Sequence, residues 1–269
     1  MLLIAIILGT LTAGIGSVWL AAALSFGVLA KYTQHMLSLA AGALLATAFM
    51  HLLPEAFESQ ASAHDLFAAL LIGLVFFFLL DKAELWHHGH EHGVGHSHDH
   101  DHSHQHPHES ERGAGPHRAS GGWAVLAGDS VHCFGDGILI ASAFMADMRL
   151  GIVASLAVLA HEVPHHMGDL VVLRQSSNNS QRAAIVKVSI AGAVTALGGV
   201  LGYLLVEQLY GFLPFFLILA SSSFVYVALA DLIPQLQKRA SPTETAAQIA
   251  WLLVGIGLVM LISGVAHTH

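Results

Sequence analysis

Charge is scarce in this chain. Asp, Glu, Lys and Arg make up 10% of its 269 residues, and only ten are Lys or Arg. An average soluble domain carries about 25% charged residues, and a nucleic-acid-binding surface needs clustered cations; neither class fits, and no nucleic-acid partner is expected. There is one cysteine, so no internal disulfide can form and cysteine usage does not indicate a redox compartment. No basic region precedes the first apolar run, which extends from Leu2 to Leu29. That run is expected to be a first membrane span and not a cleaved leader.

What the chain has in abundance is apolar surface. Hydrophobic residues reach 55% and the mean hydropathy is +0.65, the signature of a polytopic membrane protein. About 20 apolar residues at 1.5 Å rise cross a hydrocarbon core of about 30 Å. Spans are expected at Leu2–Leu29, Met36–Phe57, Leu66–Leu85, Gly122–Met145, Ile152–Leu173, Ala183–Leu205, Gly211–Ile233 and Ala246–Val265. The expected fold is all-α, with eight transmembrane helices forming one transmembrane domain over residues 1–269. In that arrangement Lys31, Lys82, Arg112, Arg118, Arg174, Arg182, Lys187, Lys238 and Arg239 share one side and only Arg149 takes the other. By the positive-inside rule the first side is cytoplasmic and both termini are extracytoplasmic.

The fourth and fifth spans carry ionisable residues near their middles, where such groups are costly unless paired, hydrated or bound to something. Asp129, His132, Cys133 and Asp136 follow an i, i+3, i+4, i+7 spacing and form one helical stripe. His161, Glu162, His165 and Asp169 form a second, with His166 beside it. Facing stripes of imidazole, thiolate and carboxylate suit Zn²⁺ or a neighbouring transition metal better than Ca²⁺ or Mg²⁺. Pro164 lies within the second stripe and withdraws one backbone hydrogen bond there, as expected beside a cavity or substrate path. His51 and Glu55, at i and i+4 near the end of the second span, are candidates for the extracytoplasmic mouth of that path.

Between the third and fourth spans lies a histidine-rich segment. It contains His87, His88, His90, His92, His96, His98, His100, His102, His104, His106, His108 and His117 among Gly, Ser, Asp and Glu. With too few apolar residues to form a core, residues 86–121 are expected to be a disordered cytoplasmic loop that captures metal loosely. The sixth span is rich in small residues, and Gly198 with Gly202 allows close helix approach. The seventh ends in ALADLIPQL, placing Asp231 and Pro234 near the cytoplasmic face.

These motifs resemble a known family. GDSVHCFGDG (128–137) is similar to the GDxxHNFxDG signature of the ZIP (Zrt/Irt-like protein) metal transporters, and HEVPHHMGD (161–169) to the HEIPHELGD fifth span of one branch. HLLPEAFE (51–58), FFLLDKAELWHHGH (77–90) and VYVALADLIP (225–234) resemble the second, third and seventh spans. The resemblance implies a two-metal centre. One site would use His132, Asp136, His161 and His165; the other would use position 133, Asp136, Glu162 and His165. Cys133 stands where Asn is usual, His166 where Glu is usual, and the sixth span offers no carboxylate.

The function expected is import of a divalent metal, most of all zinc, with Cd²⁺, Fe²⁺, Mn²⁺ and Co²⁺ as further candidates. The protein is expected to be a homodimer in the plasma membrane and not an enzyme. Asp129, His166 and Asp169 would line the transport pathway with His51 and Glu55. Two alternatives share some motifs. HEVPH matches the HExxH pattern of zinc proteases, but Pro164 falls within the turn that must hold both histidines. A cation diffusion facilitator pairs HxxxD motifs with a His-rich loop, but has six spans and a folded cytoplasmic C-terminal domain.

Overall fold

The computed structural model describes residues 1–25, 33–89, 120–176, 180–237 and 241–265. Within these, the chain is built of eight helical rods and contains no strand. In order they are α1 (Leu2–Leu24), α2 (Thr33–Phe57), α3 (Ala63–Gly89), α4 (Ser120–Ala146), α5 (Met148–Ser176), α6 (Gln181–Gln208), α7 (Tyr210–Leu236) and α8 (Pro242–Val265). Six are long and apolar enough to cross a membrane; α4 and α5, whose apolar lengths are interrupted by ionisable side chains, are not among them. In lipid a backbone must satisfy its own hydrogen bonds, and a helix does so within one segment. The result is an all-α polytopic membrane protein.

Local chemistry sets the turns. Asp147 alone separates α4 from α5, and its Oδ1 accepts from the N–H groups of Arg149 at 2.8 Å and Leu150 at 3.3 Å, capping α5. Ser241 and Glu244 form a reciprocal capping box at the start of α8: Ser241 N–H donates to Glu244 Oε2 at 2.7 Å, and Glu244 N–H to Ser241 Oγ at 3.3 Å. Two rods widen into a π turn just before a proline. These are Ala48–Leu52 ahead of Pro54 and Val227–Leu232 ahead of Pro234. A proline ring crowds the carbonyl four residues earlier, and widening the turn relieves that contact.

α4 packs most extensively along α6, and the small residues of both helices are the reason. A Cβ on Gly137 would lie 2.0 Å from the Thr195 carbonyl oxygen, and one on Gly198 would lie 2.2 Å from that of Phe134. The two backbones touch there. The core also buries Ile6, Leu44, Leu52, Ile140, Phe144, Val158, Ile218 and Phe224. Outside, Phe67, Leu71, Ile72 and Leu79 of α3 and Leu253, Leu258 and Leu261 of α8 are exposed, an apolar belt suited to lipid and not to water.

Most boundaries differ from the sequence expectation by a few residues, and two of them carry helix into the segment 86–121 that was expected to be disordered. α3 continues past Leu85 through His87 and His88 to Gly89, and α4 begins at Ser120. His90, His92, His96, His98, His100, His102, His104, His106, His108 and His117 lie outside the described residues. α5 runs unbroken through Pro164, so the proline is absorbed without ending the helix.

Candidate metal centre

The stripes of α4 and α5 face each other and bring their donor atoms into three groups. The first joins His132, Asp136, His161 and Glu162. His161 Nε2 lies 3.1 Å from Glu162 Oε1 and 3.3 Å from Asp136 Oδ2. His132 Nε2 lies 3.2 Å from the same Glu162 oxygen and 3.8 Å from Asp136 Oδ2. Four N and O ligands around a tetrahedral Zn²⁺, at about 2.0–2.1 Å each, stand about 3.3–3.4 Å apart. The observed edges cluster around that value.

Orientation supports the same centre. His161 Nε2, Glu162 Oε1 and Asp136 Oδ2 are buried and lack hydrogen-bond partners despite these short separations. Their lone pairs and N–H directions are not aligned on one another, as expected of donors aimed at a shared point. His161 Nδ1 donates to the Ala157 carbonyl at 3.3 Å, which leaves its Nε2 unprotonated toward the group.

The second group is Asp129, Cys133, Glu162 and His166, and the third is Asp129, His165 and Asp169. Glu162 is therefore common to the first two groups through its two oxygens, and Asp129 to the second and third. The resemblance assigned those sharing roles to Asp136 and His165; in the structure His165 Nε2 faces Asp169 at 3.7 Å and Asp129 at 4.0 Å. His161 and His165 fall in different groups, whereas HExxH protease chemistry needs both on one metal. The neighbours that these four carboxylates have within 4.0 Å include histidines. Burying so much negative charge is costly without a cation.

A cavity of about 310 Å³ leads to the centre. Asp129, His132, His161, Pro164, His165 and Asp169 are among its lining, together with Asp81, Tyr226, Asp231 and Gln235 and several apolar side chains. Tyr226 Oη donates to Asp81 Oδ2 at 3.2 Å across α7 and α3. Sequence reasoning missed Asp81, Tyr226 and Gln235 as neighbours of the path. The one available signal was a carboxylate at the end of an apolar run, in LLDK and again in ALAD. His51 and Glu55 are elsewhere: His51 Nδ1 lies 3.5 Å from Ser263 Oγ of α8, and Glu55 is exposed on α2.

Fold and site together define a polytopic α-helical membrane protein with a cluster of metal-ligand-type side chains buried between two adjacent helices. The family model described as ZIP Zinc transporter matches residues 84–263, more than half of the chain. The chain belongs to that family. It is similar to "Zinc transporter ZIP13" of Pongo abelii, 27% identical over 287 residues that cover 96% of this chain and 77% of that protein. It is also similar to "Zinc transporter SLC39A7" of Mus musculus, 33% identical over 165 residues, 57% of this chain and 33% of that protein. "Zinc transporter ZIP10" of Danio rerio is 34% identical over 152 residues, 54% of this chain and 18% of that protein. The matches thus span about a third or less of the SLC39A7 and ZIP10 relatives' length. These relatives are named as transporters, which disfavours the protease reading.

Proposed function

We propose that the protein carries Zn²⁺ into the cytoplasm through the α4–α5 centre. The observation that carries this reading is the His132, Asp136, His161 and Glu162 group, with donor atoms spaced for a tetrahedral metal and a cavity beside it. Imidazole and carboxylate are a donor set suited to Zn²⁺, and also to Cd²⁺, Fe²⁺, Mn²⁺ and Co²⁺. A hydrated ion would exchange its waters stepwise for these ligands, because a transport site must bind selectively and still release.

In this reading all eight rods span the bilayer, α4 and α5 included, because their polar residues are satisfied by one another and by the metal. Both termini are then extracytoplasmic. The cavity opens along Asp81, Asp231 and Gln235, at the ends of α3 and α7 that lead to Lys82 and Lys238. By the positive-inside rule that is the cytoplasmic side, so the cavity is the release route. Asp129, His165 and Asp169 receive the ion on the way out, and His51 with Glu55 lies toward the opposite mouth. His166 acts beside the centre. His87, His88 and the histidines from His90 to His108 form the cytoplasmic capture segment of a single domain over residues 1–269, working as a homodimer in the plasma membrane.

The test is zinc flux into proteoliposomes containing the purified protein, read with an interior zinc dye. Uptake that saturates with Zn²⁺ and is lost in Asp136→Ala supports the reading. Equal flux in protein-free vesicles would sink it.

A further inference from the structure

A second cavity, of about 520 Å³, shares no lining residue with the one beside the α4–α5 donors. Its volume is within the range of small-molecule sites, about 300–1,000 Å³. Leu24 of α1, Leu39 of α2 and Trp251 of α8 line it, together with Leu159, Ala160 and Val163 of α5. Every further lining side chain is apolar except His35. Leu20, Leu156 and Trp251 are exposed, so the groove opens sideways toward lipid. Along α5 the lining runs from Leu156 to Val163, about 10 Å at 1.5 Å rise. That is most of the acyl depth of one leaflet.

A polar recess of about 320 Å³ adjoins this groove at His35, which lines both. Its other residues are Gln34 of α2 and Thr243, Glu244, Ala247 and Gln248 of α8. Trp251 meets the His35 ring edge to face, with centroids 5.9 Å apart. Gln248 Nε2 donates to Gln34 Oε1 at 3.4 Å and to the Leu236 carbonyl at 3.3 Å. The Gln34 oxygen is thereby used, and its amide protons remain as donors. Glu244 is exposed, and its Oε2 accepts from both the N–H and the hydroxyl of Ser241. Among the described residues the recess holds this one carboxylate and no Lys or Arg. An amide donor beside a carboxylate complements a head group that carries a phosphate and an ammonium. It disfavours one that is only anionic.

We propose that groove and recess together bind one ethanolamine phospholipid, with an acyl chain against α5, the ammonium at Glu244 and the phosphate at Gln34. The exposed apolar faces of α3 and α8 accept any neighbouring lipid, whereas a slot that ends in matched donors and acceptors selects one. The site bears on α5 at its weakest point. Pro164 has no N–H, so the Ala160 carbonyl lacks the donor that a helix supplies four residues on, and Ala160 lines the groove. Between Ala160 and Val163 on the same turn lie His161 and Glu162 of the four-residue donor group. A chain packed on Leu159, Ala160 and Val163 therefore braces the turn that carries those donors. Only this brace, and the cytoplasmic leaflet as its source of lipid, rests on the transport reading.

Native mass spectrometry of the full-length protein in detergent, supplied with phospholipids of equal chain length and ethanolamine, choline or glycerol head groups, reads the site directly. One ethanolamine lipid per chain should survive activation that strips the other two. Leu39→Trp and Leu20→Trp fill the groove from different helices. Each should lower that retention about tenfold or more, the scale of two methylenes no longer buried. Leu71→Trp, on the exposed face of α3, should leave it unchanged. Glu244→Gln keeps an acceptor for Ser241 but removes the charge. It should reduce the ethanolamine preference about two- to fivefold, the scale of one ion pair at a wet surface. Equal retention of all three lipids, or retention indifferent to both groove-filling tryptophans, would overturn the site in favour of annular lipid. Preference for the glycerol lipid would overturn the head-group assignment. In proteoliposomes, ethanolamine lipid should lower the half-saturating Zn²⁺ concentration of the unsubstituted protein several-fold and leave that of Leu39→Trp unmoved; the same response in both would overturn the brace. Selective retention without any zinc flux would sink the transport reading and leave this site standing.

Discussion

His132 and His165 stack, with ring centroids 5.6 Å apart and planes inclined by 29°, although their Nε2 atoms belong to different ligand groups. The stack links the four-residue group to the Asp129–Asp169 group on the cavity side, and His165 is 41% exposed there. On the proposed route, an ion leaving the first group meets His165 next. His165→Ala is therefore expected to lower the maximal zinc flux by about 10–100-fold, the usual scale for losing a supporting group, with a smaller change in half-saturating concentration. Initial rates across a Zn²⁺ series in proteoliposomes check this, and a pure loss of affinity would contradict it.

Glu162 serves two groups through separate oxygens, so it cannot be replaced by a residue with one ligating atom. Glu162→Ala and Asp136→Ala are both expected to reduce flux to the level of empty vesicles at equal protein content. Flux within a factor of two of the unsubstituted protein in either would refute the four-residue site.

Gly137 and Gly135 sit on the same helix in opposite circumstances. A Cβ on Gly137 would meet backbone atoms of α6 at 2.0 and 2.6 Å, while one on Gly135 meets nothing within 4 Å. Gly137→Ala should destabilise by about 1–3 kcal/mol or more, since backbone cannot step aside as a side chain can. Gly135→Ala should leave stability equal or slightly raised, by about 0.5–1 kcal/mol, because alanine favours a helix. Thermal unfolding of the two variants in one detergent separates them; equal midpoints would show that α4 and α6 are not in backbone contact.

Replacing residues 90–119 by a Gly/Ser linker is expected to leave initial zinc uptake intact. In the proposed orientation the segment lies after the selective step, and it has no apolar periodicity to pack. Its imidazoles, with an unperturbed pKa of about 6.5, bind metal when neutral and lose that capacity as they protonate. The substituted protein should respond differently to high interior zinc at pH 7, and the difference should fade below about pH 6. Loss of initial uptake in a correctly inserted variant would place the segment in the path.

Much of this architecture was legible because apolar length and helical period are local properties. The rods, the facing stripes of α4 and α5, and the close approach around Gly198 each follow from residues a few positions apart. Grouping was not legible. Spacing puts His161 and His165 on one face, but the crossing of α4 over α5 assigns them to different clusters, and no single-helix pattern encodes a crossing. Ser17 escaped for a stronger reason: a serine in the run TAGIGS looks like one more small residue, and its contact with buried His166, Oγ to Nδ1 at 3.0 Å, comes from far along the chain. Pro54 and Pro234 did carry a local signal, each standing at the end of a widened turn.

The single-residue turn at Asp147 has a consequence for biogenesis. Because it joins α4 directly to α5, every donor of the three groups lies between Asp129 and Asp169, within one helical hairpin. Bringing them together closes only a short loop of chain, for which the entropic cost is small. The hairpin can thus enter the bilayer with its carboxylates already opposite its histidines, before α6, α7 and α8 are synthesised. Metal supplied at that moment would act on folding as well as on transport.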